Sequence, residues 1–220
     1  MAFDGPRPDW PYWFTRVAFY SYCRGYLGLT MRGTDNVPAR GPAILMANHE
    51  SYFDPYLLTF LSIRPVAFMA KIELFEGKLG WFFPRLNCLP VKRGTADLTA
   101  FRESARLLQR GHLLGIFPEG TRTADGTMGP AHRGSISIAI RTGVPIVPVA
   151  IWGTYQVLPR SGGLRRHPVG VSVGRPYRLV GLPRDAHRNK PLLDRIGRRI
   201  MADIATLRSQ LIEEQTHVAE

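Results

Sequence analysis

Short apolar runs alternate with helical segments along this chain, and this alternation restricts its fold more than any other sequence feature. Six runs have the near-continuous apolar character of buried strands: 43–47, 65–70, 88–91, 113–117, 144–151 and 169–173. Strands that are apolar on both faces are typical of parallel sheets covered by helices. The pattern therefore predicts a single α/β domain with a mixed, partly parallel sheet flanked by helices.

The segments between the apolar runs predict the helices. Residues 95–110 show the clearest helical pattern, residues 135–142 form a second helix, and the chain becomes helical again from about 191. Pro145 and Pro148 lie within one of the strand-like runs. Because proline cannot donate to a β ladder, we expect this run at a sheet edge or a strand end.

The N-terminal segment 10–29 is rich in aromatic residues, but Arg16 and Arg24 interrupt it before about 18 apolar residues accumulate. We therefore expect an aromatic amphipathic helix that does not span a membrane. It either lies at the head-group boundary, which aromatic rings and arginines favour, or packs on the core. The expected organisation has three parts, namely this helix at 1–30, the main α/β domain at 31–210, and a tail at 211–220.

Basic side chains outnumber acidic ones, 29 to 17, which gives a net charge of +12. Such a charge attracts polyanions, either anionic lipid head groups or nucleic acid, and charge alone does not choose between them. Cys23 and Cys88 are too few for a disulfide framework and have no metal-ligand spacing. The sequence therefore predicts an intracellular protein without a metal site.

The first strand-like run leads directly into Asn48-His49-Glu50-Ser51-Tyr52-Phe53-Asp54. Side chains at the carboxyl ends of strands lie where α/β sheets bind their ligands. His49 and Asp54 meet only if a turn separates them, and Ser51 and Pro55 favour a turn into a helix. Asp54 would then orient His49 and stabilise its imidazolium after proton uptake. The alternative is a helix start that Ser51 and Asp54 merely cap.

A second polar segment, Phe117-Pro118-Glu119-Gly120-Thr121-Arg122-Thr123, follows the run 113–117. Gly120 permits close backbone approach, the Thr121 hydroxyl donates a hydrogen bond, and Arg122 can hold a phosphate through two parallel bonds. These residues suit a phosphate-bearing acceptor. Glu119 is unexpected there, and it either contacts substrate hydroxyls or pairs with Arg122. The alternative is a surface turn with an ion pair.

Two further segments complete the pattern. In Leu89-Pro90-Val91-Lys92-Arg93-Gly94, a strand end is followed by two cations, and Arg93 is either a second phosphate ligand or a solvated charge. Gly143-Val144-Pro145-Ile146-Val147-Pro148-Val149 is apolar, and we interpret it as a wall beside an acyl chain.

These four segments, in this order, resemble the four sequence blocks of the glycerophospholipid acyltransferase family, which includes the 1-acylglycerol-3-phosphate acyltransferases. The matches are His49 and Asp54 in the His-x4-Asp block, Arg93 in the second, 117–122 in the Phe-Pro-Glu-Gly-Thr-Arg block, and Pro148 in the fourth. The resemblance runs from about 32 to 153. Single blocks occur by chance, whereas the ordered set is specific.

The resemblance implies an acyl thioester of coenzyme A or acyl carrier protein as donor, and no bound cofactor. It implies a lysophospholipid acceptor, above all 1-acylglycerol-3-phosphate, with His49 as general base and Asp54 as its partner. The implied acceptor-binding residues are Arg93, Glu119, Gly120, Thr121 and Arg122. With such an acceptor, the basic surface predicts peripheral attachment to anionic lipid on the cytoplasmic face of a membrane. No nucleic acid is expected as a partner, since no nucleic-acid motif appears in the sequence.

One departure from the family pattern concerns the acceptor. Many members have Phe-Lys-x-Gly after the third block, whereas this chain has Ala131-His132-Arg133-Gly134. A mostly neutral imidazole attracts phosphate less than a lysine does. Glycerol phosphate, an aminolipid or a glycolipid therefore stays open as acceptor. The alternative from another class, a non-catalytic module for membrane or nucleic acid, leaves the ordered blocks unexplained.

Overall fold

The computed structural model describes residues 9–76, 87–91 and 98–219, which form a mixed sheet of seven strands with helices on both faces. The strands are β1 (Thr30–Arg32), β2 (Ala43–Ala47), β3 (Val66–Lys71), β4 (Cys88–Val91), β5 (Leu113–Ile116), β6 (Ile146–Trp152) and β7 (Gly170–Val173). The helices are α1 (Trp10–Gly25), α2 (Asp54–Phe60), α3 (Glu73–Glu76), α4 (Leu98–Gln109), α5 (Arg133–Thr142), α6 (Thr154–Val157) and α7 (Lys190–Ala219). The predicted α/β class is confirmed.

The strand order is β1-β7-β6-β2-β5-β3-β4. The five strands from β6 to β4 are mutually parallel, while β7 runs antiparallel to β6 and pairs in parallel with β1. The parallel strands therefore end together at one end of the sheet, which we call the carboxyl end. The first and third sequence blocks follow β2 and β5 at this end, as expected for a ligand site in an α/β sheet.

Apolar side chains cover both faces of the sheet. Leu45 faces a layer that includes α1 and α2, and Ile44 faces a layer that includes α4, α5 and α7. All five residues of β2 are buried. This burial on both faces explains why the strands read as continuous apolar runs rather than as alternating patterns.

The prediction that prolines place the run 144–151 at an edge or strand end is wrong, because β6 lies between β2 and β7. Pro148 is aligned with Met46 of β2. Its carbonyl oxygen accepts a hydrogen bond from the Gly174 N–H at 2.8 Å, just beyond the end of β7. The N–H and C=O of one residue point to the same side of a strand. The missing donor therefore faces the irregular segment after β7, and the β2 ladder is intact.

Helix α1 combines features of both alternatives raised for it. Tyr12 and Cys23 are buried, and the Phe19 ring lies 4.9 Å from that of Phe53 and 4.8 Å from that of Tyr56, between centroids. A different set of its side chains is exposed: Trp10, Phe14 and Val17. Within the described part of the chain, no helix combines the length and the apolar character needed to cross a membrane.

Helix α7 continues through residues that the sequence assigned to a tail. It runs for 30 residues to Ala219. Leu211 is 1% exposed, and the Gln215 side chain donates a hydrogen bond to Thr30 Oγ1 at 2.9 Å. Residues 211–215 therefore pack on the domain, because the helix crosses the sheet as far as β1.

Candidate active site

The segment after β2 is fastened to the neighbouring strand by its first residue. The Asn48 side chain is buried, its Nδ2 donates to the Ile151 carbonyl, and its Oδ1 accepts from the Ile151 N–H, both at 2.8 Å. These two bonds extend the β2–β6 pairing by one side chain. The start of the segment is therefore held in place where β2 ends.

The predicted turn brings His49 and Asp54 together. Residues 51–53 form the turn, α2 begins at Asp54, and His49 Nδ1 lies 2.8 Å from Asp54 Oδ2. Asp54 is fully buried, and the same oxygen accepts the N–H groups of Glu50 and Ser51. Its other oxygen accepts the Thr154 hydroxyl at 2.7 Å. Since Asp54 occupies Nδ1, Nε2 is the His49 nitrogen available to a substrate.

The His49 ring is also fixed from the side. It stacks on Phe117 with a centroid separation of 4.0 Å and an interplanar angle of 17°. The His49 carbonyl accepts the Thr123 N–H at 2.8 Å. The side chain keeps 14% exposure. The imidazole is therefore restrained in orientation and still reachable from outside.

Glu119 is buried and joins the third block, to which it belongs, to the first block by a hydrogen bond. Its Oε1 accepts the His49 N–H and its Oε2 accepts the Gly129 N–H, each at 2.8 Å, and the residue is 5% exposed. Burial raises the pKa of Glu119 above its ordinary value, and the two N–H bonds oppose that rise. The structure thus gives its carboxylate backbone partners, whereas the sequence predicted substrate hydroxyls or Arg122.

The other residues of the third block lie nearer the surface. Gly120 has φ +67°, and a Cβ there would lie 2.7 Å from the His132 ring, so this position requires glycine. Thr121 is exposed. The Arg122 guanidinium carbon lies 3.6 Å from the centroid of the Tyr52 ring, a cation–π contact between the third block and the first.

Arg93 lies outside the described residues, so its predicted role in phosphate binding stays a prediction. The strand before it, β4, pairs in parallel with β3 and ends at the carboxyl end of the sheet. His132, where many family members have lysine, is exposed at the N-cap of α5, and its N–H donates to the Pro118 carbonyl at 2.8 Å.

Sequence reasoning missed a buried ion pair beside His49 and Asp54. Glu50 is 2% exposed, and its Oε1 accepts a hydrogen bond from Arg208 Nε at 2.9 Å. Burial and then the Asp54 charge raise the pKa of Glu50 to about 7, and Arg208 opposes that rise. Thr154 lies between the two carboxylates, 3.4 Å from Glu50 Oε2. Glu50 adjoins His49 in sequence, whereas nothing local marks Arg208.

Comparison with known proteins agrees with this geometry. The family model described as Acyltransferase matches residues 28–152, more than half of the chain. The chain belongs to the acyltransferase family. The matched region contains β1 to β6 and the first, third and fourth sequence blocks as they stand in the structure, so the resemblance inferred from the motifs is confirmed.

The named relatives of this chain share one description. The chain is 32% identical to the 1-acyl-sn-glycerol-3-phosphate acyltransferase of Bacillus subtilis, over 65% of this chain and 73% of that protein. It is 32% identical to a chloroplastic enzyme of the same description from Brassica napus, over 66% of this chain and 44% of that protein. A similar enzyme from Arabidopsis thaliana is 31% identical over 63% and 40%. The chain thus spans less than half the length of these plant relatives.

A solved structure is also similar. The crystal structure of the 1-acyl-sn-glycerophosphate acyltransferase from Thermotoga maritima superposes with a TM-score of 0.67 at 26% identity. The match covers 90% of this chain and 78% of that one. The arrangement of sheet and helices described above is therefore an acyltransferase fold.

Proposed function

We propose that this protein is an O-acyltransferase that moves a fatty acyl group from a thioester to the hydroxyl of a lysophospholipid, 1-acylglycerol-3-phosphate. The observation that carries the proposal is the 2.8 Å contact between His49 and a fully buried Asp54 at the carboxyl end of the sheet. The named relatives support the acceptor, since each is described as acting on 1-acylglycerol-3-phosphate. The donor is the acyl thioester of coenzyme A or of acyl carrier protein, and no cofactor is required.

In the proposed reaction, His49 Nε2 removes the proton from the acceptor hydroxyl as its oxygen attacks the thioester carbonyl. A C–O bond forms, and the tetrahedral intermediate then collapses by cleavage of the C–S bond. The proton passes from Nε2 to the departing thiolate, which leaves an ester and a thiol. Asp54 stabilises the imidazolium between these steps. Proton transfer by such a group supplies about 10²- to 10⁴-fold in rate, and positioning of the reactants adds to it.

Acceptor recognition is proposed for the third block and for Arg93. Arg122 would bind the acceptor phosphate from its place over Tyr52, because a guanidinium can hold two phosphate oxygens at once. Thr121 and the backbone at Gly120 would contribute hydrogen bonds. Glu119 would act indirectly, since its carboxylate holds the backbone N–H of His49.

The acceptor is an anionic amphiphile in a bilayer, so we propose peripheral attachment to the cytoplasmic face of a membrane with anionic lipid. Two properties support this. The chain carries a net charge of +12, and α1 exposes Trp10, Phe14 and Val17, a spacing that can place large apolar side chains together.

An acyl-transfer assay tests the proposal. Labelled acyl-coenzyme A and acyl carrier protein would be offered with 1-acylglycerol-3-phosphate, glycerol phosphate, an aminolipid and a glycolipid. We expect transfer to 1-acylglycerol-3-phosphate to be fastest, and His49→Ala to abolish most of it while retaining the circular dichroism and melting temperature of the wild type. Retained turnover in the folded variant would remove His49 from the reaction. Preference for another acceptor would refute the proposed acceptor and leave the proposed acyl transfer in place.

A further inference from the structure

The connection between α6 and β7, residues 158–169, lies beside residues 48–54, the segment with His49 and Asp54 that we call the catalytic turn. Both of its ends are at the carboxyl end of the sheet, because Trp152 of β6 pairs with Gly170 of β7. Near its start, the Leu158 carbonyl accepts the Ser51 hydroxyl at 3.0 Å. The connection therefore touches the same turn that joins His49 to Asp54.

The other end of the connection is tied to helix α1. Arg166 Nε donates to the Tyr26 carbonyl at 3.2 Å, and its guanidinium carbon lies 5.4 Å from the centroid of the Tyr26 ring. Tyr26 is the C-cap of α1 and is 49% exposed. Arg166 thus fixes the connection against the helix that carries the other exposed aromatic residues.

The middle of the connection presents an apolar side chain among cations. Leu164 is 62% exposed and follows a turn at Gly162 and Gly163, whose φ values are +89° and +91°. Arg160 and Arg165 flank it and are exposed. We call Tyr26, Tyr52, Arg160, Leu164 and Arg165 the rim surface. Tyr52 belongs to the catalytic turn, Arg160, Leu164 and Arg165 belong to the connection that contacts this turn, and Tyr26 contacts the connection through Arg166.

We propose that the rim surface docks on an anionic bilayer, with Leu164 among the head groups and Arg160 and Arg165 on lipid phosphates. This inference rests on the proposed lipid acceptor and specifies which surface presents the site to it. Exposed tyrosines and arginines suit the head-group boundary, where a ring or a long side chain has one apolar and one polar end. The hydroxyl of a lysophospholipid lies at that depth, so the catalytic turn must approach the bilayer from this side.

The same cations suit an acidic carrier protein, and the exposed apolar and aromatic members favour lipid. Each arginine near an anionic surface contributes about 1 kcal/mol, which corresponds to roughly fivefold in binding. The apolar contribution of Leu164 requires a phase into which its side chain can insert. Leu164 should therefore contribute to binding of a bilayer and not to binding of an acidic carrier protein.

Vesicle sedimentation tests the docking directly. Vesicles of phosphatidylcholine with phosphatidylglycerol, and of phosphatidylcholine alone, would be mixed with wild type and with Leu164→Ser/Arg165→Gln. We expect the variant to bind the anionic vesicles about 10-fold or more weakly. Arg166 stays unchanged because it holds Tyr26.

A matched control changes one exposed aliphatic residue and one exposed arginine at the opposite end of the sheet. Ile63 is 83% exposed just before β3, and Arg40 is exposed just before β2. Ile63→Ser/Arg40→Gln should leave vesicle binding at the wild-type level. An equal loss in both double variants would show a non-specific charge effect and overturn the proposal.

Transfer assays separate lipid from a carrier protein. We expect the rim variant to lose far more activity with acceptor embedded in anionic vesicles than with a short-chain acceptor dispersed in detergent. Unchanged vesicle binding, with transfer lost only from acyl carrier protein, would assign the rim surface to the carrier and refute the bilayer. Vesicle binding can also be measured with His49→Ala in the background, so a failure of the proposed reaction would be seen separately.

Discussion

The proposed catalytic turn, residues 48–54, and the proposed acceptor loop, residues 120–122, lie side by side but are built differently. In the turn, Asp54 is fully buried and both of its oxygens accept hydrogen bonds. In the loop, Thr121 is exposed and Arg122 rests on the half-exposed Tyr52 ring. Proton transfer needs a fixed geometry, whereas an acceptor head group of variable position is better bound by side chains that can change conformation.

The two regions are nevertheless joined through the backbone. Glu119 accepts the His49 N–H, and the Thr123 N–H donates to the His49 carbonyl. The loop is therefore anchored on both sides of its exposed part. Substitutions in the turn should change the rate of the chemical step, and substitutions at the loop tip should change acceptor affinity.

The largest expected effect is that of Asp54→Asn, which removes the charge behind His49 and alters the tautomer preference of its ring. We expect kcat to fall by about 10³- to 10⁴-fold with little change in KM for the acceptor. Steady-state kinetics and a thermal melt would be compared with wild type. A folded variant that mainly raises KM would contradict the division between turn and loop.

Arg208→Met tests whether the buried contacts of the turn 48–54 extend to Arg208 of α7 and stabilise the fold. Removing one partner of a buried ion pair leaves Glu50 uncompensated and should reduce the free energy of unfolding by about 3 kcal/mol. The double variant Glu50→Gln/Arg208→Met should recover much of that loss. Denaturant unfolding of the single and double variants measures both, and an equal loss in each would argue against the pair.

The loss in Arg208→Met should depend on pH. The folded-state pKa of Glu50, about 7, lies above its ordinary value of 4.5. Between these two values the folded protein binds a proton at Glu50 that the unfolded protein does not, so the free energy of unfolding falls as pH rises from the lower value to the higher one. Without Arg208 the pKa of Glu50 rises further. We therefore expect a smaller destabilisation at pH 5 than at pH 8. A pH-independent loss would show that Arg208 stabilises through packing instead.

Arg122→Lys tests the role of the exposed loop 120–122 in acceptor binding. Lysine keeps the charge but not the two parallel donors, so KM for 1-acylglycerol-3-phosphate should rise by about 10-fold and kcat should change less. Exposed Arg195 of α7 offers a control, since Arg195→Lys should leave KM unaltered. A fall in kcat alone would place Arg122 in the chemical step.

The smallest expected effect is that of Tyr52→Leu, which removes the ring beneath Arg122. An exposed cation–π contact contributes about 0.5–1 kcal/mol, so KM should rise roughly two- to fivefold. Tyr52→Phe keeps the ring face and should behave as wild type. If Tyr52→Phe is equally impaired, the phenol hydroxyl rather than the ring is what matters.

Local signals in the sequence predicted much of the fold and the central pair. The strands were recognisable because burial on both faces makes them continuously apolar, as in β2. The turn between His49 and Asp54 was recognisable because serine and proline favour a helix start at the right spacing. Pro148 misled the prediction, since a local rule about donors does not show that β7 ends beside it.

The sequence by itself determined the strand and helix alternation and the ordered polar blocks, because apolar periodicity and turn preferences act between near neighbours. Only the tertiary structure decided which of those polar groups meet. Glu119 reaches His49 across 70 positions, and Arg208 reaches Glu50 across 158. Such contacts depend on the strand order and on the path of α7 over the sheet, and no local pattern encodes either.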